Sequence, residues 1–456
     1  MSGGRPNVVL IDIDTLRADH LGCYGYFRNT SPNLDRLAKE GVLFKDSHAT
    51  AIATGPGQTS IITGLAPIHH HFYMTPHSLP NLIDFDDDIP TLAELIQDVV
   101  GGYTTAAFDN LINFKSHMDQ FVRGFEYYVN ATRSAKPIHH HLVGGDLNAR
   151  LLPWLKAHAE ERFFLFVHYW DPHTPYNQPD DYRELFSHVP GHLDDLEVKR
   201  APAGYDYVPG WGKADEICEI WESAPEGREW TVDLYDGEIR YVDELVGQVI
   251  RTLESLGLLE DTVVIITSDH GEQLGQHGMW GHGMLHEAVI YVPLIIWGPS
   301  VVPAGKVVSG YAQQADIAPT ILALLGADET KLPRFDGMNL LPVIEGQESL
   351  RDKMFAETSA SRAMLDGRWK YIRTYYLDEE ELYDLQSDPM EVNNLASQEE
   401  FVLEDMRGQL SAWIREGLGG QADPLWRQVA TVAEAVDKVF GRQWRVPSVR
   451  SLRKGP

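Results

Sequence analysis

Cysteine is almost missing: Cys23 and Cys218 are the only two in 456 residues, which rules out a disulfide framework and a thiolate zinc site. Positive charge is also scarce, with 38 Lys and Arg against 67 Asp and Glu and a formal net charge of −29. So acidic a surface repels nucleic acid and anionic lipid, and neither is expected as a partner. Long hydrophobic runs are lacking too. The apolar stretches around Val263 and Leu294 are strand-length, well short of the ~20 residues a membrane span requires. From Met1 the chain enters the apolar stretch Val8 to Ile11 almost at once, without the long apolar middle of a signal peptide. A reducing, cytoplasmic setting is therefore expected.

What is present is a globular composition, 43% hydrophobic and 23% charged, enough for one large core and a smaller second one. Apolar runs at Val8 to Ile11, Thr104 to Phe108, Phe163 to His168 and Val263 to Thr267 alternate with helical patterns at Asn33 to Glu40, Thr91 to Val99 and Tyr235 to Leu256. This rhythm predicts an α/β fold with a mostly parallel sheet covered by helices on both faces. A Pro/Gly-punctuated insertion is read at about 180–230 within a catalytic domain of 1–348. A smaller C-terminal α+β subdomain with an antiparallel sheet is expected at 349–420, where Lys370 to Thr374 and Glu381 to Asp384 look like short strands. In 421–456, Pro424 to Val439 has amphipathic helical spacing and is followed by a basic tail with Arg442, Arg445, Arg450, Arg453 and Lys454. Such a helix needs a partner for its apolar face, either the body of the protein or another subunit, and a homo-oligomer is expected.

In parallel sheets, ligands gather beyond the carboxyl ends of the strands. Asp12 and Asp14 close the first strand in Ile11-Asp12-Ile13-Asp14-Thr15, and alternation turns both to one face. Two such carboxylates need a cation or hydrogen-bond donors between them, although Asp14 could equally cap a helix. The apolar run Val263 to Thr267 leads into Ser268-Asp269-His270-Gly271-Glu272, and His277, His282 and His286 follow. Carboxylates and imidazoles repeated at strand ends suit a divalent cation.

Six ordered blocks carry a family resemblance: Pro6 to Ile11 with Asp14 and Leu21-Gly22-Cys23-Tyr24-Gly25; Ser31-Pro32-Asn33-Leu34-Asp35; Thr63-Gly64; Pro172-His173-Thr174-Pro175; Ser268 to Glu272; and Glu381 to Leu385 with Asp388-Pro389. Together they resemble the sulfatase family of the alkaline-phosphatase superfamily over nearly the whole chain. The resemblance implies an alkaline-phosphatase-like central sheet and a metal held by Asp14, Asp269 and His270.

The family's nucleophile lies ten residues before the glycine of its Thr-Gly segment, in a Cys-x-Pro-Ser-Arg motif whose cysteine or serine becomes formylglycine. Counting back from Gly64 reaches Thr54, in Thr54-Gly55-Pro56-Gly57-Gln58. Formylglycine cannot be made from threonine, so a formylglycine sulfatase is excluded. A threonine hydroxyl held by a cation is a competent nucleophile, and related phosphorus-ester branches use one; the bland alternative is that Thr54 only caps the next helix. By the same resemblance Thr54 joins the metal set and His173 protonates the leaving oxygen. Asp12, Gln58, His70, His168, Asp171 and His282 are expected to bind substrate or support these groups; Gln58, for instance, could bond Thr54. Imidazole in the ligand set favours Mn2+ or Zn2+ over Ca2+. One ion is expected, with a second possible on some of His168, His173, His282 and His286. The expected activity is hydrolysis of phosphate diesters or phosphonate monoesters, small anionic ester substrates. A phosphoryl or phosphoalcohol transferase, or a sulfate-ester hydrolase working without formylglycine, remain alternatives.

Overall fold

Alternation in the first strand organises the molecule. β1 (Asn7–Ile13) sends Val9, Ile11 and Ile13 into one core and Val8 and Leu10 into another, the pattern of a strand covered on both faces. The computed structural model describes residues 5–73, 85–110, 119–130, 144–174, 176–186, 228–375, 377–423 and 425–426. In chain order there follow β2 (Val42–His48), β3 (Thr104–Asp109), β4 (Tyr127–Asn130), β5 (Phe163–Tyr169) and β6 (Thr262–Thr267). A short ribbon of β7 (Gln273–Leu274) and β8 (Trp280–Gly281) precedes β9 (Leu294–Trp297) and β10 (Lys306–Gln313). The main sheet has eight strands in the order β10-β2-β9-β6-β1-β5-β3-β4. It is parallel except at β9, which runs against both β2 and β6.

The longer helices against the main sheet are α1 (Pro32–Glu40), α2 (Thr54–Thr63), α3 (Gly144–Ala157), α4 (Arg228–Ser255) and α5 (Ile317–Leu324). Leu37 of α1, Leu147 and Leu151 of α3 and Val242 and Val246 of α4 join the core on the Val9 side. Ile61 and Ile62 of α2 and Ile321 of α5 join the core on the Val8 side. A four-stranded antiparallel sheet, β11 (Lys353–Glu357), β12 (Ser361–Asp366), β13 (Trp369–Thr374) and β14 (Glu379–Asp384), forms the C-terminal subdomain. One face, with Ala363 and Ile372, packs on Ile52 and Val289 of the body. The other, with Met364 and Tyr371, is covered by Leu403, Met406 and Leu410 of α6 (Glu400–Leu418).

The mostly parallel sheet and the small antiparallel one are as the sequence predicts. The expected helix over Thr91 to Val99 is instead a short α-turn, Leu92–Leu95, that widens into a π-helical turn, Ile96–Val100. There the amide of Gly101 reaches five residues back to the carbonyl of Ile96. Most of the proposed insertion, 187–227, lies outside the described residues, as does nearly all of the Pro424 to Val439 segment. Among the described residues, no helix is long and apolar enough to cross a membrane.

Candidate active site and metal centre

Strand register assembles the site. Asp12 of β1 pairs with His168 of β5 and with Thr267 of β6, and His168 pairs with Asp109 of β3. Register partners share a face, so Asp12, His168 and Asp109 stand in one row across three adjacent strands. Just beyond β1 and β6, Asp14, Asp269 and His270 complete the arrangement. The ligating atoms of Asp14, Asp269 and His270 lie within 4.8 Å of one another, and so do those of Asp12, His168 and Asp269. All five residues are fully buried.

The turn after β1 is held in an unusual backbone state. Thr15 has φ of 59°, a left-handed conformation that a β-branched residue adopts only under constraint. Its amide donates to Asp269 Oδ1 at 3.2 Å. From α4, the Tyr235 hydroxyl donates to the Thr15 carbonyl at 2.7 Å and accepts from the Arg17 amide at 3.0 Å.

Thr54 opens α2, but its cap position is Ala53, and no side chain caps the helix. The Thr54 hydroxyl instead donates to Asp14 Oδ2 at 3.3 Å. Asp14 caps no helix either, since the next short helical turn begins at Ala18 after Arg17. Gly57 lets α2 lie directly on the strand-end turn of Asp269: a Cβ there would stand 2.6 Å from the Asp269 carbonyl oxygen. Gln314 ties the same parts together. Its amide nitrogen donates to the carbonyls of Ser268 and Asp269, and its oxygen accepts from the amide and hydroxyl of Thr50.

Hydrogen bonding orients the imidazoles. His168 gives its Nδ1 proton to Asp109 Oδ1 at 2.7 Å, and Asp109 is backed by the Tyr128 hydroxyl. His270 Nδ1 donates to the Gly271 carbonyl at 2.9 Å and His173 Nδ1 to the Thr174 carbonyl at 2.6 Å. His168 Nε2 is left 3.5 Å from Asp14 Oδ2, and His270 Nε2 3.5 Å from Asp269 Oδ2. Backbone or carboxylate partners of this kind orient metal-binding histidines.

Burial followed by the charge of Asp269 pushes the Asp12 carboxyl well up, and burial followed by Asp14 pushes Asp269 up to about 6. Burial acts upward on Asp14 as well, but His173, His168 and His270 outweigh it and hold that carboxyl below its ordinary range. The leading influences on these three acids include no lysine or arginine. Five buried atoms, Asp12 Oδ1, Asp14 Oδ1, Asp269 Oδ2, His168 Nε2 and His270 Nε2, have no hydrogen-bond partner among the described residues. A set of carboxylate oxygens and imidazole nitrogens in that state is compatible with a divalent ion.

The other expected residues fall at different distances from this centre. The His282 ring lies 4.2 Å from that of His270 and 5.2 Å from that of His173, and its Nδ1 is 3.5 Å from Glu272 Oε1. Gln58 does not bond Thr54; its amide donates to Asp12 Oδ2 at 3.0 Å, one turn of α2 further along. Three residues are turned elsewhere. His70 accepts from the Phe72 amide and bonds Ser60 Oγ. Asp171 accepts from the Gly144 amide and interacts with Glu238. His286 bonds Glu381 and stacks on His277. Asp109, Tyr235 and Gln314 were not singled out in the sequence, although Asp109 follows the apolar end of a strand just as Asp14 does.

The family model described as Sulfatase matches residues 6–327, well over half of the chain. The chain belongs to the sulfatase family. A second family model, N-sulphoglucosamine sulphohydrolase, C-terminal, matches residues 275–416 of this sulfatase-family hydrolase. Among its relatives is a choline-sulfatase of Rhizobium meliloti, 26% identical over 501 residues, covering 100% of this chain and 93% of that protein. A multifunctional alkaline phosphatase superfamily protein, PehA of Trinickia caryophylli, is also 26% identical and covers 86% of the chain and 91% of that protein. The phosphonate monoester hydrolase of Agrobacterium radiobacter superimposes with a TM-score of 0.73 at 24% identity, over 91% of this chain and 96% of that one. The sulfatase family thus brings both sulfate-ester and phosphorus-ester enzymes into this chain's neighbourhood.

Proposed function

We propose that this sulfatase-family hydrolase cleaves phosphate diesters or phosphonate monoesters with Thr54 as its nucleophile. The observation that carries the reading is the Thr54 hydroxyl bonded to Asp14 Oδ2 at 3.3 Å, at the edge of the buried cluster and free of any capping role. Asp14, Asp269, His270 and the Thr54 oxygen would hold a divalent ion, with manganese or zinc suiting the imidazole better than calcium. Such an ion supplies positive charge that favours the ionised threonine oxygen and draws electron density from the ester oxygens.

Thr54 Oγ1, its proton released to solvent on ionisation, then attacks phosphorus, the phosphorus–alkoxide bond breaks, and the departing oxygen takes a proton from His173. In the second half a water oxygen attacks phosphorus, its proton passes to His173, and the bond to Thr54 Oγ1 breaks. Burial holds the His173 ring below its ordinary pKa, and the negative charge of an arriving ester raises it, supplying the proton where it is needed. Threonine also explains the choice of phosphorus over sulfur. A formylglycine hydrate has a second hydroxyl that expels sulfate by collapse to the aldehyde; a threonine ester must be cleared by attack at its central atom, which phosphorus accepts.

The test is turnover of matched nitrophenyl phosphate, phosphate diester, phosphonate and sulfate esters, with a quenched digest searched by mass spectrometry for an adduct on Thr54. Phosphorus esters should turn over faster than sulfates, and Thr54→Ala should lose about three to six orders of magnitude in kcat. Sulfate esters outrunning every phosphorus ester would reassign the enzyme to sulfate chemistry. Transfer of the phosphoryl group to an added alcohol in preference to water would make it a transferase.

A further inference from the structure

We propose that the chain holds a second divalent cation, between Asp12, His168 and Asp269, beside the first at Asp14, Asp269 and His270. The second ion presupposes the first, because Asp269 belongs to both sets of three. Two of its ligands, Asp12 and His168, are direct cross-strand partners in the sheet, and Asp269 lies in the turn just beyond β6. Strand pairing therefore places these two.

Two observations separate this set from an ordinary acidic cluster. His168 gives its Nδ1 proton to Asp109 and so turns Nε2, the atom that ligates once deprotonated, to the space shared with Asp12 and Asp269. Then Asp12 Oδ1, Asp269 Oδ2 and His168 Nε2, all fully buried, lack hydrogen-bond partners among the described residues. A proton shared between Asp12 and His168 would draw the two into hydrogen-bonding distance. Instead the ligand atoms keep within 4.8 Å of one another without bonding, a spacing suited to shared coordination after a small contraction.

Charge leads to the same conclusion. Asp12, Asp14 and Asp269 together carry three negative charges when ionised, and Gln58, the side chain that bonds Asp12, is neutral. One divalent ion would leave a net negative centre, which repels an anionic ester in a chain already at −29. Two divalent ions more than offset these three charges, and adjacent ions sharing a carboxylate are a common clamp for both the attacking and the leaving oxygen. Two carboxylates and one imidazole favour an ion of the manganese and zinc class.

The experiment loads metal-free protein with manganese(II), removes free ion by gel filtration, and combines elemental analysis with electron paramagnetic resonance. Two ions per chain with a spin-coupled signal are expected for the natural sequence. Asp12→Asn, close in shape, should retain one ion with an uncoupled signal. Asp109→Asn, which removes the partner orienting His168, should bind the second ion about 10–100-fold more weakly. A single ion at saturating manganese, with His168 carrying a proton between Asp14 and Asp109, would overturn the proposal. Two coupled ions in Asp12→Asn would do the same. Failure of the proposed function reads differently: two ions bind, yet no phosphorus ester is turned over and Thr54 acquires no adduct.

Discussion

The Cα of Gly57 faces the carbonyl oxygen of Asp269 so closely that a Cβ would stand 2.6 Å from it. Helix α2 and the turn after β6 are thereby locked in register, and with them Thr54 and the metal-ligand candidates. Gly57→Ala should push the two apart by a fraction of an ångström. Since misplacement of about 1 Å costs roughly 10²-fold in rate, we expect kcat to fall at least 10-fold while the fold survives. The check is kcat on a phosphorus ester beside a circular dichroism melt; native kcat in Gly57→Ala would show that this contact does not set the geometry.

Leaving-group dependence tests His173. His173→Ala should lower turnover of alkyl esters by about 10²–10⁴-fold and that of nitrophenyl esters, whose alcohol leaves without a proton, far less. Equal losses across the series would assign the ring to binding instead.

Acidification should narrow the difference in stability between the metal-loaded and the metal-free protein. Burial followed by Asp14 lifts Asp269 to about 6, and burial lifts Asp171 to about 6, against an unfolded value of about 3.9. The folded chain therefore binds these two protons more tightly than the unfolded chain, a contribution to metal-free stability that grows as pH falls from 7.5 towards 5, while His70 and His277, which burial holds at about 3, act in the opposite direction. In the loaded protein the same protons compete with the ion, and affinity falls. The gap in melting temperature between manganese-loaded and chelator-treated samples should close over that interval. A gap that widens would contradict the assignment of Asp269 as a ligand.

Tyr235→Phe removes the hydroxyl that bridges the Thr15 carbonyl and the Arg17 amide. Leaving two buried backbone groups without a partner should cost about 1–3 kcal/mol, read by chemical denaturation. Metal affinity should fall with it, because the left-handed turn at Thr15 orients Asp14. Unchanged stability and affinity would mean that Thr15 keeps its conformation unaided.

The α/β architecture was legible because buried parallel strands read as short apolar runs, and their ends marked Asp14, Asp269 and His270 for inspection. The pairing between strands was not legible. Asp109 follows the run ending at Phe108, yet its meaning depends on register with His168 across two strands, which one sequence does not contain. Tyr235 and Gln314 act on backbone atoms of residues 220 and 45 positions away, and contacts to backbone carry no residue-type signature. His70 and Asp171 show the converse: a motif position marks a residue but does not say which way its side chain turns.

β1, which bears Asp12 and leads into Asp14, lies between β5 and β6. Both of its neighbours are translated long after it, beginning at residues 163 and 262. β1 is thus made well before either of the strands that flank it. For that interval an apolar segment with two exposed edges must be kept from self-association. Because Asp269 and His270 are made later still, capture of the ion comes only after β5, β1 and β6 have all been made.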